Sequence, residues 1–187
     1  MTTATSQLTA LTGTYTLDPA HSRIGFVARH AMVTKVRGAF NEFEGTAVLD
    51  GDNPANSSAT VTIQVNSIDT RQAQRDDHLR SNDFLSMDEY PTITFVSTGA
   101  RALDDDIFEL TGDLTVKGVT KSVTIPFEYQ GAAQDPFGNS RVGFEGAVVI
   151  NRKDFGVNFN AALETGGVLV SDKITIELDI AAVRRAS

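Results

Sequence analysis

The chain contains no cysteine and no tryptophan. The first absence excludes disulfides, thiolate metal sites and cysteine nucleophiles. The second leaves an interior that must be built without indole donors. An excess of basic charge is lacking too: the net charge is -8. That argues against nucleic acid, where a basic footprint is expected, and gives no encouragement to an anionic membrane surface. No apolar run approaches the length of a membrane span. The first residues lack the basic start and apolar core of a signal peptide, so a cytoplasmic protein is expected. There is no phosphate loop, dinucleotide fingerprint or G-x-S-x-G elbow.

What the chain does have is alternation. Ile24, Phe26 and Ala28 share one face of a segment whose other face carries Arg23 and Arg29. The same period of two recurs through Ile63 and Val65, Ile93 and Phe95, Leu110 and Leu114, Ile125 and Phe127, Phe144 and Val148, and Ile176 and Leu178. Turn signals separate these runs, among them Asp50-Gly51-Asp52-Asn53-Pro54, Lys117-Gly118 and Asp135-Pro136-Phe137-Gly138. Asp50-Gly51-Asp52-Asn53 resembles the start of a calcium loop, but Val61 stands where the twelfth ligand should be, so an EF-hand is excluded. One strand changes parity between Phe40 and Phe43, which predicts a bulge or bend near Asn41.

About eight strands joined by short turns imply an antiparallel meander that must close or pack on a second sheet. Several strands are about nine residues long, roughly 30 Å, which favours an up-and-down barrel over a sandwich. Residues 14–182 read as one barrel domain, with loose tails at 1–13 and 183–187. An eight-stranded barrel either fills itself with side chains or holds one small ligand, and the sequence does not choose between them.

Residues 71–91 interrupt the strand pattern with dense charge. Spacing of Arg71, Arg75, Leu79, Asp76 and Arg80 predicts a short helical insertion over about 71–85, with Thr70 capping its start and Asp76 paired to Arg80. It is either a solvated helix with local ion pairs or a cover over the barrel opening. In the second case Leu79, Phe84 and Leu85 turn inward, and Arg75, His78 and Arg80 face a polar head group. A three-histidine metal site would require His21, His30 and His78 to converge with a carboxylate, but His21 and His30 have opposite parity if they share a strand. Asp76 and His78 are candidates for an acid–base pair, yet they lie about 200° apart on a helix.

Four motifs carry a family resemblance. They are Leu17-Asp18-Pro19-Ala20-His21-Ser22 followed by Phe26 and His30; Arg75-Asp76-Asp77-His78-Leu79-Arg80-Ser81 leading into Asp83-Phe84 and Tyr90-Pro91-Thr92-Ile93-Thr94-Phe95; Leu114-Thr115-Val116-Lys117-Gly118-Val119-Thr120-Lys121; and Arg152-Lys153-Asp154-Phe155-Gly156. Together, in this order, they resemble the YceI-like family of polyisoprenoid-binding proteins.

The resemblance implies an all-β fold: an extended eight-stranded antiparallel lipocalin-like β-barrel with an elongated apolar tunnel. It implies a bound long-chain lipid such as a polyisoprenoid, an isoprenoid quinone or a fatty amide, with no cofactor required, and it implies a homodimer. The expected activity is binding rather than catalysis. The alternatives are a small-molecule isomerase or hydrolase using Asp76 and His78, and a filled barrel acting as an interaction protein.

The expected tunnel residues are Ile24, Phe26, Phe40, Phe43, Leu79, Phe84, Ile93 and Phe95 in the first half. In the second half they are Leu114, Ile125, Phe127, Phe144, Val148, Phe155 and Phe159. Arg75, His78, Arg152 and His30 are the candidates for a polar head group. Arg152 is equally readable as part of an ordinary basic strand end, and for Lys153 that reading is the favoured one.

Overall fold

A computed structural model describes residues 10–163 and 167–185. Eleven strands form one antiparallel sheet: β1 (Gly13–Leu17), β2 (Arg23–His30), β3 (Thr34–Phe40), β4 (Phe43–Leu49), β5 (Ser58–Gln64), β6 (Ile68–Asp69), β7 (Thr92–Ala102), β8 (Ile107–Val116), β9 (Val119–Gln134), β10 (Ser140–Asn151) and β11 (Lys173–Arg184). An α-helix, α1 (Ala73–Arg80), follows β6. Residues 1–9, most of the expected N-terminal tail, lie outside the described residues, as do 186 and 187.

The sheet closes. Its order runs β1-β4-β5-β7-β8-β9-β10-β11, and β11 pairs back onto β1, giving an eight-stranded ring. The remaining strands extend this ring. β2 continues β1 along β11, β3 lies on β2, and β6 on β3. Three staves of the barrel are therefore each made of two pieces. The expected single bent strand through Asn41 is two strands, with residues 41 and 42 released from alternation. There Asn41 N–H donates to the Ser67 carbonyl at 3.1 Å, and the Glu42 carbonyl accepts from Gln64 N–H at 2.9 Å. The parity change is thus absorbed by a break whose backbone groups stay paired.

The break between β1 and β2 is stitched by Ser22. Its hydroxyl donates to the Ala181 carbonyl at 3.0 Å and accepts from the Ala181 amide at 2.9 Å, standing in for two ladder bonds. The later strands are longer than the sequence suggested. The 16 residues of β9 span about 50 Å at 3.3 Å per residue. β11 runs through Val183 and Arg184, so the barrel reaches into the expected C-terminal tail. At the other terminus Leu11 is buried, and its carbonyl accepts from the Tyr15 hydroxyl at 2.9 Å.

The helix is shorter than 71–85. Its N-cap position is Gln72 rather than Thr70, with no side-chain capping bond, and it stops at Ser81. Ser81, Asn82 and Asp83 compete for backbone groups with their own side chains, which ends helices; the Ser81 hydroxyl donates to the His78 carbonyl at 2.6 Å. Tight turns then bring the chain to β7, with Leu85 N–H donating to Leu79 O and Met87 N–H to Arg80 O.

Candidate functional site: an apolar tunnel

A cavity of about 400 Å³ occupies the barrel. It reaches from Leu11, Pro54 and Phe108 at one end to Leu79, Phe84 and Phe155 at the other, and every stave of the ring contributes to its wall. The wall follows the pleat, since alternate residues of each strand face inward: Val123, Ile125 and Phe127 on β9, for example, or Ile174, Ile176, Leu178 and Ile180 on β11.

The barrel is hollow because of how its phenylalanines are seated. Phe26 stands opposite Gly38, and Phe127 opposite Gly146. In each case a Cβ on the glycine would collide with the ring; at Gly146 it would lie 2.7 Å from Phe127 Cδ1. Phe95 lies over Gly112 in the same way. Three large rings thus lie against the wall, in space that any side chain on the facing strand would fill. The interior keeps its apolar surface without being plugged.

One end is capped by the insertion. Phe84 is buried, with Leu79 and Leu85 partly buried beside it. Phe84 contacts Phe159 at 5.0 Å between ring centroids, and His78 stacks edge-on over both rings, at 5.0 and 4.9 Å. The helix is tied to the sheet at its base. Asp76 Oδ1 accepts from the Thr70 amide at 2.8 Å and from its hydroxyl at 2.5 Å. Arg75 Nε donates to Thr70 Oγ1 at 2.7 Å and Nη2 to the Thr70 carbonyl at 2.6 Å.

Arg152 closes the same end from the other side. It is 5 % exposed, and its guanidinium donates to the carbonyls of Ser171, Val157 and Phe159 at 2.7–2.8 Å and to Val170 at 3.3 Å. One side chain therefore gathers Val157, Phe159, Val170 and Ser171 into a lid over that end of the tunnel. Burial pulls its pKa below the usual arginine value, against the weaker pull of Asp172. At the opposite end polar side chains reach the cavity. Arg101, Glu109, Asp50 and Ser57 form a rim, with an Arg101–Glu109 ion pair at 2.6 Å.

Of the expected tunnel residues, Ile24, Phe26, Phe40, Leu79, Phe84, Ile93, Phe95, Leu114, Ile125, Phe127, Phe144, Val148 and Phe155 line the cavity. Phe43 does not: it is buried in the core at the β3–β4 break. Phe159 packs outside the wall, on His78 and Phe84. Of the head-group candidates only Arg152 touches the cavity. Arg75 is committed to Thr70, and His78 is hydrogen-bonded to Asp83 at 2.8 Å. His30 ends β2 and pairs with Val170.

Arg80 donates to the carbonyls of Asn66 and Ile68 and pairs with Asp77 rather than Asp76. Asp76 and His78 have separate partners and do not meet as an acid–base pair. His21 is bonded to Asp18, and no group of three metal-binding side chains occurs among the described residues. Sequence reasoning left many wall residues unnamed, among them Tyr15, Leu17 and Val170. Alternation in β1 held the signal for the first two; Val170 lies in a loop and had none.

A family model for the YceI-like domain matches residues 15–182. The chain belongs to the YceI-like family. The match spans the barrel from β1 to β11, covering both the helical cap and the Arg152 lid. A UPF0312 protein of Staphylococcus aureus (strain MSSA476) is 39 % identical over 166 residues, covering 87 % of this chain and 93 % of that one. The crystal structure of Burkholderia cenocepacia BcnA superposes with a TM-score of 0.78 at 27 % identity, covering 88 % of this chain and 98 % of that one. A polyisoprenoid binding domain from Saccharophagus degradans shares the fold at a TM-score of 0.69 and 14 % identity, over 91 % of this chain and 98 % of that domain. No described helix of this YceI-like chain is long and apolar enough to cross a membrane.

Proposed function

We propose that this YceI-like barrel binds one long-chain apolar lipid in its tunnel, for carriage, storage or sequestration, and that it is not an enzyme. The observation that carries this reading is the almost wholly apolar wall ending in a polar rim. Among the described residues no buried side-chain nitrogen or oxygen lacks a hydrogen-bond partner, so the interior makes no demand for polar groups on a ligand. A hydrocarbon chain needs none, since each buried methylene contributes about 0.8 kcal/mol without directional contacts. About ten such groups supply roughly 8 kcal/mol, the scale of micromolar binding before association costs.

The ligand classes that fit are a polyisoprenoid, a quinone with an isoprenoid tail and a fatty amide. The Saccharophagus degradans domain, which shares the fold, is described as binding a polyisoprenoid. A polar head belongs at the Arg101–Glu109 rim, because Arg75 and Arg152 already spend their donors on the protein. No cofactor enters this reading. The homodimer implied by the resemblance remains part of it, and light scattering on a sizing column measures it directly.

The deciding experiment is extraction of the purified protein with organic solvent, followed by mass spectrometry. A stoichiometric long-chain compound is expected. A ligand-free protein that also fails to take up a long-chain isoprenoid sinks the proposal.

A further inference from the structure

The charge of this acidic chain is unevenly placed. Residues 22–41 hold four of its sixteen Lys and Arg, namely Arg23, Arg29, Lys35 and Arg37, and none of its twenty-four Asp and Glu. In the fold this stretch is the β2–β3 hairpin. Arg29 stands directly across from Lys35, and both are exposed. Arg37, also exposed, has one long contact to Glu177 at 3.5 Å.

The tip of the hairpin is apolar. Met32 is 63 % and Val33 75 % exposed, and Val168 of the neighbouring loop is 39 % exposed. The tip is held in place: Ala31 N–H donates to the Leu169 carbonyl at 2.8 Å, and Met32 packs over Gly167. Its turn is also costly for its sequence. Ala31 and Met32 have φ of 51° and 62°, a pair of left-handed positions that favours Asn and Gly. Met32 stands there exposed at a conformational cost, and residues held in such conformations cluster at functional sites.

We infer that the β2–β3 hairpin docks the capped end of the barrel on an anionic lipid bilayer. Apolar side chains at a tip enter the acyl boundary while flanking Lys and Arg meet the phosphates. At the opposite end the β7–β8 turn carries Asp104, Asp105 and Asp106, and the exposed Phe137 of the β9–β10 turn stands beside Asp135 rather than a run of bases. A second copy fits the hairpin less well. Among the described residues the outer edge of β3 is unpaired from Thr34 to Gly38, but pairing two such edges would bring Lys35 and Arg37 against their own kind. The site is continuous with the tunnel: His30 pairs with Val170, which lines the cavity and is held by Arg152. The use of such docking rests on the lipid-carrier reading; the docking itself does not.

Flotation of the full chain with phosphatidylcholine vesicles, with and without phosphatidylglycerol, tests this. The chain is expected to float with the anionic vesicles only, and to be released by salt. Arg29→Gln and Lys35→Gln should each lower partitioning about fivefold. Met32→Asn with Val33→Thr, which suits the turn, should abolish it. Both sets of variants should retain the same extractable ligand as the parent chain, so loss of docking and loss of tunnel binding are read separately. Equal flotation with neutral vesicles, no flotation with either, or variants that float like the parent would overturn the inference. So would a tip variant that changes only the solution mass, since that outcome assigns the hairpin to a second copy.

Discussion

Emptying the tunnel should cost the barrel much of its stability. The cavity measures about 400 Å³. At the roughly 24 cal/mol per Å³ found for cavities left in the T4 lysozyme core, a dry void of that size costs on the order of 10 kcal/mol. This is an upper bound, because the wall relaxes and water enters at the rim. Against a total stability of about 5–15 kcal/mol it is nonetheless a large fraction. A ligand present at a hundred times its Kd restores about 2.7 kcal/mol by mass action alone. For a domain of this size that is about 5–11 °C in Tm. The assay is differential scanning fluorimetry on protein as purified, after stripping on a hydrophobic resin, and after reloading with a long-chain isoprenoid. Stripping should lower Tm by at least about 5 °C, and reloading should restore it. If the three samples melt together and the stripped protein takes up no lipid, the wall is not a binding surface and the reasoning fails.

Arg152→Met should destabilise by about 3–5 kcal/mol, seen as a lower urea midpoint, because four backbone carbonyls of the lid lose a charged, buried donor. Gly38→Ala should push the Phe26 ring into the lumen. Long-chain uptake should then fall while a shorter acyl chain still binds, and competition with a fluorescent fatty acid would show unchanged profiles if the ring does not move. Acid should loosen the β9–β10 end. The Asn139 amide and the Arg141 guanidinium hold the Asp135 carboxyl down at about 2, and Arg141 likewise lowers Asp18. Their folded pKa values lie below the unfolded ones, so the unfolded chain binds more protons in acid. The stabilisation is complete above about pH 4 and is lost as pH falls toward about 2. Arg141→Gln should flatten that part of the stability–pH curve.

Much of this protein was legible in one dimension. Alternation picks out residues of one strand face, and inward faces of a closed sheet are its wall. That is why Ile93, Phe95, Leu114, Ile125 and Phe144 were identifiable before any coordinates. The all-β class and the helical insertion follow from period and punctuation in the same way. Side-chain roles in the insertion were not legible, since Arg75, His78 and Arg80 have the same chemistry whether they face a ligand or a carbonyl. Three-dimensional proximity assigns Arg75 to Thr70, His78 to Asp83 and Arg80 to the Asn66 and Ile68 carbonyls.

The sequence by itself determined that eight apolar faces must enclose a core, because each strand has one face that water disfavours. It left open whether that core is filled. Only the strand register decides this. By laying Phe26, Phe95 and Phe127 over Gly38, Gly112 and Gly146, it puts the largest side chains in space taken from glycines rather than from the lumen. One residue of slippage would turn the same rings to the other face of the sheet. The hollow interior is a property of pairing between distant segments, which no single strand carries.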